Sequence, residues 1–360
     1  MDNGSPSNQK RDRNSNLKKI HTMFKLKSYI IGHLVIALVI PISGKPHTTT
    51  KKGIYPIITY SKVNGISLAG MLLNQSPKWD SHAILVFSEK YGKLLVCDAK
   101  DISLSSHITI EAIIELYDWK DSYFGLGNTN STTEQLIENT AYTMAIGPRY
   151  WISDKLSTAL LLKYNERSEK NTKVGPFSDE KNLGTILNIQ YRNRDNRLSP
   201  HNGSFLDNNV SIYPSTTRTG RTNFITWTTD YRYYHTRGKH TWATRTYLGQ
   251  TLSPREKSHF FNSQFRLGNN RELRGEGKNR YMGRAITLFQ IEYRYQLFQK
   301  LRSILFIESG QTTDHIGIND LHVTKGMGLH YIMKHNVIAR LEAGFSDDNN
   351  NILFSFNTAF

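Results

Sequence analysis

Alternation at period two is the feature that constrains this chain most. From Thr287 to Gln296, Phe289, Ile291, Tyr293 and Tyr295 share one face, while Gln290, Glu292, Arg294 and Gln296 share the other. The same division sets Ile225, Trp227, Thr229, Tyr231 and Tyr233 against Thr226, Thr228, Asp230, Arg232 and Tyr234. It returns with Val337, Ala339, Leu341, Ala343 and Phe345 against Ile338, Arg340, Glu342 and Gly344. Side chains of a strand point alternately to its two faces, so each run makes one oily and one polar surface. Nineteen Tyr and sixteen Phe fit such pleated surfaces, and no long stretch holds a helical period.

Runs of this kind, bounded by Gly, Asn, Asp, Ser or Pro, predict strands near 66–74, 81–88, 92–99, 107–117, 138–149, 153–165, 181–191 and 203–213. Eight more fall near 222–235, 239–251, 259–267, 284–296, 299–310, 324–333, 337–346 and 351–360. Short connections such as 236–239 alternate with long polar ones such as 118–133 and 166–181. No linker divides the chain, and Tyr231, Tyr233, Tyr234, Tyr293 and Tyr295 crowd toward strand ends, as in the interfacial girdle of a membrane barrel. Closure into a cylinder is compulsory where lipid offers a sheet edge no hydrogen bonds. The expected fold is therefore all-β, a 16-stranded antiparallel transmembrane β-barrel over 66–360 with a lumenal loop, preceded by a short lead at 45–65.

Residues 1–44 predict a signal peptide. Lys10, Arg11, Arg13, Lys18, Lys19, Lys25 and Lys27 stand against Asp2 and Asp12 ahead of the apolar segment 29–42, which exits through Ser43 and Gly44. A mean hydropathy of −0.50 excludes a bundle of membrane helices. Cys97 is the single cysteine, so neither an internal disulfide nor a CxxC site can form. No metal or cofactor motif is present. The net charge of +16 comes without a nucleic-acid recognition motif. Gly65-Ile66-Ser67-Leu68-Ala69-Gly70 misses the second glycine of a nucleophile elbow and lies in an expected strand, so no enzyme is expected.

More specific is the stretch Phe265-Arg266-Leu267-Gly268-Asn269-Asn270-Arg271-Glu272-Leu273-Arg274-Gly275, followed by Glu292-Tyr293-Arg294 and Phe306-Ile307-Glu308-Ser309-Gly310. It resembles the carboxy-terminal barrel of the Omp85 superfamily, also called the bacterial surface antigen (D15) type, in which a Gly-rich segment leads to a (V/L)RG(F/Y) loop with five strands after it. Residues 193–205 and the loop 123–128 are similar to further family motifs. Asn269, Glu276 and Glu308 depart from the family's usual glycine, aromatic residue and aspartate. The resemblance implies a loop anchor at Leu273, Arg274 and Gly275, with Glu292 and Glu308 as inner-wall partners. Period two independently turns Glu292 inward. Phe354, Phe356 and Phe360, on a strand running to the last residue, resemble the C-terminal insertion signal of bacterial outer-membrane proteins.

Between Lys45 and Ile66 there is no room for a POTRA domain, so the likeness is to the short branch of the family. It implies a place in the bacterial outer membrane and a role in protein or lipid insertion or translocation there. The implied partners are outer-membrane lipid and lipopolysaccharide, the barrel-assembly machinery during biogenesis, and an unnamed cargo. The alternative is a passive anion-preferring pore, because Arg232, Arg245, Arg294 and Arg340 occupy the polar face.

Overall fold

In a computed structural model, residues 51–360 are described except for 62–64, 77–78, 90–91, 129–132, 171–178, 215–222, 254–262, 334–335, 348 and 357–358. The expected signal at 1–44 lies outside the described residues. The strands are β1 (Lys51–Ser61), β2 (Gly65–Ser76), β3 (Trp79–Ser88), β4 (Gly92–Ser103), β5 (Ile108–Tyr123), β6 (Gln135–Trp151), β7 (Leu156–Glu169), β8 (Glu180–Arg194) and β9 (Gly203–Tyr213). They continue as β10 (Phe224–Arg237), β11 (His240–Leu252), β12 (Phe265–Leu267), β13 (Tyr281–Gly283), β14 (Ala285–Phe298), β15 (Leu301–Thr313), β16 (His322–Ile332), β17 (Ile338–Phe345) and β18 (Asn350–Phe356). Sixteen of them form one antiparallel sheet in chain order, and β12 pairs only with β13 as a small hairpin within the β11–β14 connection.

The period-two pattern becomes an oily outside and a polar inside. Leu305, Ile307, Met327, Leu329 and Leu341 are exposed on the outer face, whereas Arg294, Glu308, Thr324, His330 and Arg340 are buried on the inner one. Tyr231 and Tyr233 face out, and Trp242 packs on Tyr293 with centroids 4.9 Å apart, giving an aromatic belt beside the short turns. Tyr234 is not in that belt as expected. It is buried on the inner face, because one residue's step along a strand reverses its side.

Two expectations about strands are corrected. The barrel starts at Lys51, so most of the expected lead at 45–65 is its first strand. Of the expected strand at 259–267, residues 259–262 lie outside the described residues, and the described part holds β12, which belongs to the loop hairpin and not to the wall. At the seam, β1 and β18 approach each other, but among the described residues no hydrogen-bonded ladder joins them. An apolar cluster spans the join instead: Tyr55 of β1, Met71 of β2 and Val337, with Phe356 of β18 and Leu198 packed against them.

Candidate functional site: a hairpin clamped inside the barrel

The connection between β11 and β14 leaves the rim as the β12–β13 hairpin and carries 268–280 into the lumen. Its root is an apolar cluster of Leu267, Leu273, Tyr281, Ile286 and Leu288, with Phe265 and Tyr247 against it. Leu273 has φ 48°, a left-handed conformation that costs a non-glycine residue about 1–3 kcal/mol. Its complete burial in that cluster offsets the strain and aims the next residue at the wall.

That residue is Arg274. Its Nε donates to Glu308 Oε1 at 2.8 Å, and its backbone N–H donates to Glu308 Oε2 at 2.6 Å. Its Nη1 reaches Glu292 Oε2 at 3.0 Å and Glu342 Oε1 at 2.9 Å. The guanidinium lies 3.6 Å above the centre of the Phe306 ring. Arg294 holds the other oxygen of Glu292 at 2.6 Å, Arg340 that of Glu342 at 3.0 Å, and Thr324 donates to Glu308 at 3.1 Å. Three guanidinium groups therefore meet three carboxylates in a fully buried network, the condition under which buried charge is tolerable. Burial works against the charge on Arg274, but Glu308, Glu342 and Glu292 outweigh it and hold its pKa above the ordinary arginine value.

The one carboxylate of Glu308 takes both the backbone and the side chain of Arg274. Gly275 is required by a close approach: a Cβ there would lie 2.7 Å from the backbone of Phe345, and one on Gly344 would lie 2.7 Å from the backbone of Arg274. Asn269, in place of a glycine, builds a turn by accepting from the N–H groups of Arg271 at 2.6 Å and Glu272 at 3.0 Å. Glu276 is buried and receives the Tyr281 hydroxyl at 3.4 Å, while its backbone carbonyl accepts from Asn351 of β18 at 3.2 Å.

A second anchor has the opposite polarity. Arg245 of the β11 wall pairs with Glu272 of the loop at 3.1 Å and with Asp230 of β10 at 2.9 Å. The wall also holds loop carbonyls: Gln290 donates to Arg271 O at 2.6 Å and Arg340 to Asn270 O at 2.9 Å. Across the lumen, Lys278 pairs with Asp121 of β5 at 2.6 Å, and Gly127 N–H donates to Met282 O at 2.7 Å. Asn128, in the same β5–β6 connection, donates to Asp320 O at 2.5 Å and accepts from Thr312 N–H at 3.2 Å. Hairpin and connection together form a cap across the long-loop end.

The structure thus brings Leu273, Arg274, Gly275, Glu292 and Glu308 into one site. Sequence reasoning missed Glu342, although its place two residues from Arg340 on an inward face was visible. Arg232, Arg245, Arg294 and Arg340, expected to attract anions, are each found paired with a carboxylate. Arg232 pairs with Asp230 at 2.7 Å, and the others are the paired groups described above. At three of the four the carboxylate sits two residues away, so period two itself sets it beside the arginine and neutralises the charge. Phe354 faces outward and Phe356 packs at the seam, but β18 stops at Phe356. Phe360 does not continue the strand. It is turned inward against Tyr234 and Ala243, with the two rings 6.5 Å apart.

Comparison with known structures agrees with this architecture. BamA from Haemophilus ducreyi lacking POTRA domains 1–3 superposes with a TM-score of 0.60 at 12% identity, over 86% of this chain and 70% of that one. CdiB from Escherichia coli gives 0.61 at 14% identity, over 88% of this chain and 64% of that one. CdiB from Acinetobacter baumannii gives 0.57 at 11%, over 86% and 65%. At these identities the likeness is one of fold. No curated protein matches the chain in sequence. The Omp85 superfamily domain matches residues 118–328, more than half of the chain and including the whole clamped hairpin, and the chain belongs to the Omp85 superfamily of bacterial outer-membrane barrels.

Proposed function

We propose that this barrel, of the outer-membrane insertion and translocation type, is a gated passage for protein or lipid cargo, without chemistry of its own. The observation that carries this reading is the clamp: Arg274 is tied to three strands while the rest of the hairpin spans to β5 and the β5–β6 connection. A cap held by polar contacts on two opposite walls can be released without unfolding the sheet. A plain pore has no use for such a lock, and the pairing of its inner arginines argues against anion preference. Outer-membrane lipid, lipopolysaccharide and assembly machinery are proposed as surroundings and helpers of the barrel. Planar-bilayer recording tests the gate. The wild type is expected to stay mostly closed and Arg274→Ala to open in bursts; steady anion-selective conductance unchanged by that substitution would sink the reading.

A further inference from the structure

The inner wall is not polar all round. On β2, β3 and β4 the register aligns Met71, Ile84 and Val96 in one row and Ala69, Val86 and Leu94 in the next. Met71, Ala69 and Ile84 belong to the cluster that meets Leu198, which places both rows inside the barrel. All but Met71 are only half-buried. The outer faces of the same strands are oily too, with Leu68, Leu72, Leu85 and Phe87 exposed. This arc lies next to the seam that no hydrogen-bond ladder closes among the described residues.

Below these rows, at the short-turn end, the lumen becomes basic. His82 meets Asp98 at 2.6 Å, and Lys100 and Arg197 also act on Asp98. Arg194, the last residue of β8, feels the positive charges of Arg192, Arg197 and Arg232. Arg192 is paired with Asp101 and Arg232 with Asp230. Among the described residues no carboxylate lies within ion-pair reach of Arg194, whose guanidinium rests on the face of Phe205 at 4.2 Å. Close by, the buried Tyr234 hydroxyl lies beside the guanidinium of Arg232 on the same strand. A cation without a counterion, set among further arginines, describes a place for an anion.

We propose that this end of the lumen holds an anionic phospholipid, with its phosphate at Arg194 and an acyl chain along the inward face of β2 to β4. The proposal rests on the passage reading above and names its cargo class. Free phosphate would satisfy the arginine but not the two apolar rows, and those rows end where the charges begin. A client protein strand fits less well. The ladders of β2, β3 and β4 are already made on both sides, so the arc offers no free backbone edge to pair with. A chain entering at the seam would pass from the oily outer face to the oily inner face of neighbouring strands, without crossing the charged wall of β14 to β17.

The test is retention of phosphorus by the purified full-length barrel in dodecyl maltoside. It is incubated in turn with dioleoyl phosphatidylglycerol, dioleoyl phosphatidylcholine and inorganic phosphate, then gel-filtered. Phosphatidylglycerol should be retained in preference to the other two. Charge-assisted contacts of ordinary strength make the expected loss about tenfold in Arg194→Gln/Arg197→Gln. A comparable loss is expected in Val86→Asn/Val96→Asn, with heat-modifiable gel migration confirming that each variant is folded. Equal retention by wild type and both variants would mean annular lipid and overturn the site. Equal retention of phosphate alone would overturn the acyl part, and displacement by an alternating apolar peptide would reassign the arc to a protein client. Retention is read on the closed barrel, so its failure would leave the Arg274 gating result standing.

Discussion

Arg274 draws its hold from geometry that a lysine could not reproduce, because one planar fork reaches carboxylates on β14, β15 and β17. Its family motif was legible in the sequence, as were Glu292 and Glu308. Glu342 was harder to see: no motif surrounds it, and only its inward phase beside Arg340 marked it. Removing one side of such a buried pair leaves charge uncompensated and costs about 3–5 kcal/mol. We therefore expect Arg274→Ala and Glu342→Ala each to lower the heat-modification midpoint sharply. The double variant should lose much less than the two losses combined, giving a coupling on the order of 1 kcal/mol or more. Additive losses would show that the two side chains act separately.

Among the elements, period two predicts sixteen wall strands and the described residues hold sixteen, but the two sets differ at two places. The strand Lys51–Ser61 shows no clear period two in sequence because Pro56 and Gly53 interrupt its alternation. Proline is tolerated on a terminal strand of a sheet, where one side needs no ladder. The run at 259–267 alternates enough to resemble a wall strand, yet its end turns into the lumen because Phe265 and Leu267 find apolar partners there. Period alone does not tell a strand of the wall from a strand of the loop. The hairpin is pinned on opposite sides of the lumen, by Arg274 and by Lys278, and this makes a separate expectation for the gate. Arg274→Ala alone should flicker, since Lys278 still holds Asp121. Arg274→Ala with Lys278→Ala should give sustained conductance in bilayer recording, above that of both single variants together. Equal conductance in the single and double variants would mean that the far anchor bears no part of the closure.

At the scale of the whole molecule the barrel is closed by chemistry that differs along its height. Charged pairs lock the hairpin at the long-loop end, while at the short-turn end the β8–β9 connection and the chain terminus pack against β10, β11, β14 and β15. There Arg294 donates to Pro200 O at 3.1 Å, Arg302 donates to Ser199 Oγ at 3.0 Å, and Phe360 lies on Tyr234. An aromatic last residue reads in sequence as part of an outward strand face, because alternation from Phe354 through Phe356 and Thr358 carries the eye to the end. β18 instead ends at Phe356, and the last ring is buried where the lumen offers it Tyr234 and Ala243. The two phenylalanines should then behave oppositely. Phe354 faces lipid, and Phe354→Leu keeps an apolar surface there, so the midpoint should shift little. Truncating a buried aromatic costs about 3–5 kcal/mol in a well-packed core, so Phe360→Ala should lower the heat-modification midpoint of barrels already inserted. If Phe360→Ala cuts membrane yield while inserted barrels melt as the wild type does, the last residue acts in delivery to the membrane, and its place against Tyr234 adds nothing to stability.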